Sequence, residues 1–146
     1  MLFSGATGSG KTTSLYSLVH HCAIHLQKHV ISLEDPVENN QAHLLQIQVN
    51  ERAGITYASG LKAILRHSPD VIMIGEIRDQ ETAKIAIEAS LTGHLVLTTV
   101  HAKDSVSCLY RLIDLGVTIE ELRQTVIGVV AQLLIQTPNK KSDVLC

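Results

Sequence analysis

The segment Gly5–Thr12, with the sequence Gly-Ala-Thr-Gly-Ser-Gly-Lys-Thr, constrains the fold of this 146-residue chain more than any other feature. It matches G-x-x-x-x-G-K-[ST] at every fixed position, between a short apolar strand and an amphipathic helix. Such a loop turns its backbone N–H groups toward phosphate oxygens, while a lysine reaches the β- and γ-phosphates and a hydroxyl binds Mg²⁺. The alternative is a flexible Gly/Ser loop. The predicted nucleotide-binding residues are Gly5, Ala6, Thr7, Gly8, Ser9, Gly10, Lys11, Thr12 and Thr13.

Short apolar strands alternate with helices along the chain, which predicts an α/β fold with a mainly parallel sheet flanked by helices. The predicted strands are Met1–Phe3, Val30–Leu33, Leu45–Asn50, Val71–Ile74 and Leu95–Val100. The predicted helices begin near Lys11, Thr56, Asp79, Asp104 and Thr118, the first reaching about Lys28 and the last about Ala131. Residues 133–136 and 144–146 could form a hairpin across Pro138-Asn139. Both ends look truncated, so we expect residues 1–146 to be one partial domain.

Acidic residues follow two of the predicted strands. Glu34 and Asp35 end one apolar run, and Glu76 follows another. Ligands of open α/β sheets bind beyond the carboxyl ends of the strands, so Glu34 and Glu76 are predicted to converge on the nucleotide and its Mg²⁺. Asp35 and Asp79 can equally be capping residues only.

Histidines and arginines supply further candidates. His21, His25 and His29 are spaced at i, i+4 and i+8, but without a carboxylate or cysteine on that stripe we interpret them as solvated, not as metal ligands. His94 and His101 bracket a strand near the nucleotide, and for His94 a structural and a catalytic role are equally open. Arg66 and Arg78 could contact a phosphate or a subunit, or form surface salt bridges.

The composition argues against several classes of protein. With 12 Lys and Arg against 14 Asp and Glu, and only four aromatic residues, direct nucleic-acid binding is not expected. The longest apolar run, Val126–Ile135, is too short to span a bilayer, and no signal peptide is evident. Three scattered cysteines indicate a reducing compartment.

Four segments resemble the boxes of the secretion ATPases that drive type II secretion and type IV pilus assembly, including competence-pilus motors. The segment Leu65–Asp79, LRHSPDVIMIGEIRD, is similar to the signature of that family. The other boxes are Gly5–Thr12, the aspartate box Ile31–Glu38 and the histidine box Thr92–His101. The sequence departs from the family at Ser68, where many members have an acid, and at Leu133, where an arginine is common. It also lacks the tetracysteine zinc module of some members.

The resemblance implies a RecA-like P-loop ATPase domain that hydrolyses ATP with Mg²⁺. In it Glu34 polarises the attacking water, Glu76 holds Mg²⁺ through water together with Thr12, and His101 senses the γ-phosphate. It further implies a cytoplasmic homo-hexamer, peripheral to the membrane, whose missing N-terminal domain supplies arginines to a neighbouring subunit. An inner-membrane platform protein would be its partner. A non-hydrolysing nucleotide-binding assembly partner and another P-loop translocase are the alternative functions.

Overall fold

The computed structural model describes the backbone of residues 1–137 and 140–145 and the side chains of residues 1–135. Its strands are β1 (Leu2–Gly5), β2 (Val30–Glu34), β3 (Leu45–Gln48), β4 (Val71–Ile74), β5 (Leu95–Val100), β6 (Val129–Thr137) and β7 (Lys140–Leu145). Its α-helices are α1 (Lys11–Ile24), α2 (Tyr57–Leu65), α3 (Gln80–Leu91), α4 (Ser105–Asp114) and α5 (Ile119–Thr125), with a 3₁₀ turn at Glu51–Ala53. The predicted α/β class is confirmed.

The strands form one sheet in the order β3-β2-β4-β5-β1-β6-β7. All neighbours from β3 to β6 are parallel, and β7 pairs antiparallel with β6. The carboxyl ends of β1, β2, β4 and β5 therefore meet at one edge of the sheet. The predicted hairpin is confirmed, although its turn, residues 138–139, and residue 146 lie outside the described part of the chain.

The two faces of the sheet carry different helices. On one face α1 packs through Leu15 and Val19 against Val30 of β2 and Met73 of β4. The other face buries Ile31, Leu33, Ile72 and Ile74 against α2 and α3, with α4 and α5 in the same cluster. Side chains alternate along a strand, so Val30, Ser32 and Glu34 share the α1 face of β2.

Local capping fixes most helix starts as predicted. The Asp79 carboxylate accepts from the Thr82 N–H at 2.8 Å, and the Asp104 carboxylate accepts from the Ser107 N–H at 2.7 Å. Thr118 and Glu121 form the predicted capping box, and Thr56 and Ser59 form another. Each carboxylate or hydroxyl satisfies an N–H group that the first helical turn leaves without an intrahelical partner.

Two predicted helix ends are wrong. The first helix stops at Ile24 instead of Lys28, because Gln27 has a φ of 51° and the chain closes with a bond from the Lys28 N–H to the Cys22 carbonyl. The last helix stops at Thr125 instead of Ala131, because residues 129–132 pair with β1 as a parallel strand. Gly128 lies between the two elements, and its carbonyl accepts from the Leu2 N–H at 3.0 Å.

Candidate nucleotide-binding site

The glycine-rich loop joins the end of β1 to the start of α1, as its motif requires. A Cβ on Gly5 would lie 2.3 Å from the Gln132 carbonyl oxygen of β6 and 2.6 Å from Ser9 Oγ, so this position accepts only glycine. Gly10 is the N-cap residue of α1 with a left-handed φ of 87°, which a glycine adopts without strain. The loop thus packs against β6 at Gly5 and ends at the N-terminus of α1.

The Lys11 ammonium group lies inside this loop. Its Nζ donates to the carbonyl oxygens of Gly5 at 2.9 Å and Ala6 at 2.8 Å. Burial lowers the pKa of Lys11, and the nearby Glu76 carboxylate opposes that shift. Both contacts are to neutral carbonyls, so an anionic phosphate entering the loop offers this cation a stronger partner.

One cleft of about 450 Å³ opens at the carboxyl edge of the sheet. The predicted site residues that line it are Thr7, Gly8, Gly10, Lys11, Thr12, Thr13, Glu34, Glu76 and His101. The loop residues Gly5, Ala6 and Ser9 do not line the cleft. Gly5 and Ser9 pack against each other inside the loop. Sequence reasoning did not assign Tyr57, Thr99 or Glu38 to this cleft, and Arg78 and Asp35 were left open.

The Glu34 carboxylate is buried, with 3% of the residue exposed, and three described donors hold it. Its Oε1 accepts from Ser32 Oγ at 2.6 Å and from Gln46 Nε2 at 3.2 Å, and its Oε2 accepts from the Tyr16 hydroxyl. Ser32 could have been found from the sequence, because it lies two residues before Glu34 on the same strand face. Nothing in the sequence marks Tyr16 or Gln46, which approach from α1 and β3.

The Glu76 carboxylate follows β4, and its side chain is 12% exposed. Its Oε2 accepts from Arg78 Nε at 2.6 Å, and its Oε1 lies 3.2 Å from His101 Nε2. The hydrogen bond and the charge of Glu76 raise the pKa of Arg78. Arg78 thus has a carboxylate partner within the cleft, whereas Arg66 is exposed at the end of α2 and does not line it.

Tyr57 reaches the cleft between the two acids. A Cβ on Gly75 would lie 3.1 Å from the Tyr57 hydroxyl oxygen and 3.5 Å from the Cα of Glu34. Burial, with the negative charge of Asp35, raises the pKa of Tyr57 to about 12. The phenol therefore keeps its proton at neutral pH, and Gly75 leaves the space in which its hydroxyl sits.

The oxygen donors of the cleft fit Mg²⁺. The Thr12 hydroxyl and the Glu76 carboxylate line the same cavity, and Mg²⁺ is usually bound by one or two such groups together with waters and substrate phosphates. Among the residues whose side chains are described, no three His, Cys, Asp or Glu side chains form a metal centre. The residues present thus suit a metal that arrives with a phosphate ligand.

The other histidines do not line the cleft. His94 is at the amino end of β5, where its Nδ1 lies 3.1 Å from the Ala89 carbonyl oxygen and 3.2 Å from Thr92 Oγ1 at the end of α3. This favours the structural role that the sequence left open. Because α1 ends at Ile24, His29 is not on the helix that carries His21, contrary to the predicted stripe.

None of the described helices is long and apolar enough to cross a bilayer.

Comparison with known proteins assigns the family. The Type II/IV secretion system protein family matches residues 1–144. The competence protein ComGA of Bacillus subtilis is 55% identical over 135 residues, which cover 92% of this chain and 38% of ComGA. The type IV pilus assembly ATPase TfpB of Acinetobacter baylyi is 48% identical over 136 residues, which cover 93% of this chain and 23% of TfpB.

Among solved structures, the pilus retraction motor PilT with bound ADP is 31% identical and superposes with a TM-score of 0.87, covering 98% of this chain and 44% of PilT. The chain thus spans less than half the length of these relatives. The fold is the RecA-like P-loop fold of the secretion ATPases, as predicted. The matched boxes, the sheet order and these similarities agree that the chain belongs to the Type II/IV secretion system protein family.

Proposed function

We propose that this chain is the ATP-hydrolysing part of a motor that powers type II secretion or type IV pilus assembly, the competence pilus included. One observation carries the proposal: the phosphate-binding loop, two carboxylates and His101 line a single cleft at the carboxyl ends of four parallel strands. Phosphoryl transfer needs mainly positioning and electrostatic stabilisation, and this cleft has groups for both. Names of the relatives, which include competence, secretion and pilus proteins, support the choice of machine.

The site residues predicted from the sequence each have a place in that reaction. The loop N–H groups and the N-terminus of α1 bind the phosphates, and Lys11 turns from the Gly5 and Ala6 carbonyls to the β- and γ-phosphates. Glu34 orients the attacking water and accepts its proton. Thr12 and, through water, Glu76 would hold Mg²⁺, which would compensate the negative charge of the phosphates. His101, beside Glu76, is placed to respond to the γ-phosphate.

A Lys11→Ala variant tests whether the phosphates bind in this loop. We expect nucleotide affinity to fall roughly 10- to 100-fold, since hydrogen bonds to charged groups are worth about 1.5–3 kcal/mol each. Titration of a fluorescent ATP analogue measures it. Lys62→Ala is the matched control, because Lys62 is exposed and pairs with Glu81 at 2.7 Å, away from the cleft. Unchanged affinity in Lys11→Ala would place the phosphates elsewhere.

Hydrolysis separates this proposal from a nucleotide-binding assembly partner. Phosphate release should depend on Mg²⁺ and rise with protein concentration, because we propose that the whole protein works as a homo-hexamer in which a neighbouring subunit supplies arginines. If the longest reading frame that contains this chain binds ATP but releases no phosphate at any protein concentration, the non-hydrolysing alternative is correct. We further propose a cytoplasmic location at the membrane, an inner-membrane platform protein as partner, and no direct contact with nucleic acid.

The length of the chain offers a second test. Residues 1–146 should bind Mg-ATP weakly, and the longest reading frame that contains them should restore assembly and rate. An arginine supplied by a neighbouring subunit is worth ~10³–10⁵ in rate in related phosphoryl-transfer systems. Sedimentation and phosphate release on both lengths measure this. Hexamers and full turnover from residues 1–146 alone would contradict the arginine argument while leaving the site itself intact.

A further inference from the structure

Tyr16 lies on the helix that begins with the phosphate-binding loop, yet the proposed chemistry gives it no task. It is buried, with 9% of the residue exposed, and its ring packs with Leu15, Val19 and Phe3 on the α1 face of the sheet. Its hydroxyl passes this apolar layer and donates to Glu34 Oε2. A tyrosine thus spans the distance from α1 to the carboxylate at the end of β2.

The other two described donors to Glu34 come from the sheet itself. Ser32 is on β2, two residues before the acid, and Gln46 is on the neighbouring strand β3. Gln46 also holds the loop that follows Glu34, since its Nε2 donates to the Asn39 carbonyl at 3.0 Å and its Oε1 accepts from the Gln41 N–H at 2.7 Å. The bonds that Ser32 and Gln46 donate to Glu34 fix the carboxylate relative to the sheet. They do not fix it relative to the phosphate-binding loop.

Only the Tyr16 bond, among the described donors, connects the carboxylate to the phosphate-binding helix. Lys11, Thr12 and Thr13, which line the cleft, precede Tyr16 within about one and a half turns of α1. A movement of that helix is therefore transmitted to Glu34 through one rigid aromatic side chain. Tyr16 does not line the cleft itself; it lines an adjoining pocket with Thr12 and Thr13. Its contact with a predicted catalytic group is the hydrogen bond to Glu34.

The carboxylate geometry leaves room for one water. An ionised carboxylate has about four acceptor positions. Ser32, Gln46 and Tyr16 occupy three of them, and Glu34 lines the cleft, where a water has access to the fourth. Burial and the Glu34 carboxylate both raise the pKa of Tyr16, so its hydroxyl is a donor throughout the neutral range.

We propose that Tyr16 is a positioning residue that aligns the Glu34 carboxylate with the phosphates held by α1, an inference that rests on the proposed ATP hydrolysis. The hydroxyl orients the acid and takes no part in proton transfer. Losing it should leave nucleotide binding intact and misdirect the carboxylate. A displacement of about 1 Å in such a group can cost on the order of a hundredfold in rate.

Tyr16→Phe in the longest reading frame tests the proposal, because phenylalanine keeps the ring and removes only the donor. We expect kcat to fall about 10- to 100-fold while KM for ATP changes by less than about twofold. Tyr110→Phe is the matched control, since Tyr110 is 64% exposed on α4 and should retain wild-type kcat. Tyr16→Leu, which also loses the ring, should lose kcat to the same extent if the hydroxyl is the important group.

A double-mutant cycle with Glu34→Gln separates positioning from a structural effect. If Tyr16 acts through Glu34, Tyr16→Phe should cost nothing further in the Glu34→Gln background, whereas independent effects would multiply. Wild-type kcat in Tyr16→Phe, or multiplying losses, would overturn the inference. Full turnover in Glu34→Gln alone would instead overturn the proposed role of Glu34 in hydrolysis, so the two failures are distinguishable.

Discussion

The two carboxylates that end neighbouring strands have opposite surroundings. Glu34, at the end of β2, is buried and accepts hydrogen bonds from a serine, a tyrosine and a glutamine. Glu76, just past β4, has a side chain that is 12% exposed and contacts the guanidinium of Arg78 and the imidazole of His101. Because both acids line the same cleft, their different partners indicate different tasks.

Neutral donors fix the direction of a carboxylate without cancelling its charge, whereas a cationic partner compensates that charge. An acid that must orient water and take its proton needs a fixed direction, which Glu34 has. An acid that must exchange one cation for another needs partners that can leave, and the Arg78 side chain is 59% exposed. The contrast supports assigning the base role to Glu34 and the metal role to Glu76.

The largest effect should come from Glu34→Gln. A general base contributes ~10²–10⁴-fold, so turnover should fall by that factor. Nucleotide affinity should stay near wild type, because Glu34 is not part of the loop that we propose binds the phosphates. Phosphate release and a binding titration measured on the same preparation check both halves. A loss of turnover below about threefold would reject the role of base.

Glu76→Gln should act on the metal instead of on the water. We expect the free Mg²⁺ concentration that half-saturates nucleotide binding to rise ~10–100-fold, the range seen when groups around a metal site are removed. Measuring nucleotide affinity across a Mg²⁺ titration needs no turnover and so isolates this effect. The contrast between the two acids would be wrong if Glu76→Gln left the Mg²⁺ requirement unchanged. It would also be wrong if Glu34→Gln raised that requirement by the same factor.

Local signals predicted most of the fold. Asp79, Asp104 and Thr118 were identified as helix starts because a capping side chain bonds to its own first turn. Residues 129–131 are predicted as the end of a helix, because a short apolar run is compatible with either a helix or a strand. Their strand exists through pairing with β1, more than a hundred residues earlier in the chain. A local sequence pattern contains no information about a pairing partner so distant in the chain.

In the candidate site, too, local sequence predicted some features and tertiary packing determined the others. The rule that ligands bind at carboxyl ends of parallel strands located Glu34 and Glu76 in the sequence, and the structure places both in one cleft. The hydrogen-bond and ion-pair partners that distinguish the two acids could not be predicted from residue spacing in the sequence. Tyr16 and Gln46 meet Glu34 only because α1 covers that face of β2 and β3 runs beside it. Which side chains surround an acid is a property of the packed fold.

The smallest effect concerns two histidines at opposite ends of β5, only one of which touches a carboxylate in the described structure. His101 lies beside Glu76 in the cleft. The ring of His94, roughly 20 Å away along the strand, bonds to the Ala89 carbonyl, which also accepts from the His94 backbone N–H and the Thr92 hydroxyl. His94→Ala should therefore leave turnover and the Mg²⁺ requirement unchanged. It should lower the free energy of unfolding by about 0.5 kcal/mol, the low end of the range for a hydrogen bond, because the Ala89 carbonyl keeps its other two donors.

Thermal unfolding measures this change, and for a domain of this size it corresponds to a fall in Tm of about 2–4 °C per kcal/mol. His94→Asn is the matched variant, because an amide N–H can still donate to the Ala89 carbonyl and should recover part of the lost stability. The physical reason for the separation is the parallel sheet: its carboxyl edge gathers the groups of the cleft, and the opposite edge holds helix ends. A loss of turnover in His94→Ala at unchanged Tm would show that the two ends of β5 are not independent, and would return His94 to the catalytic candidates.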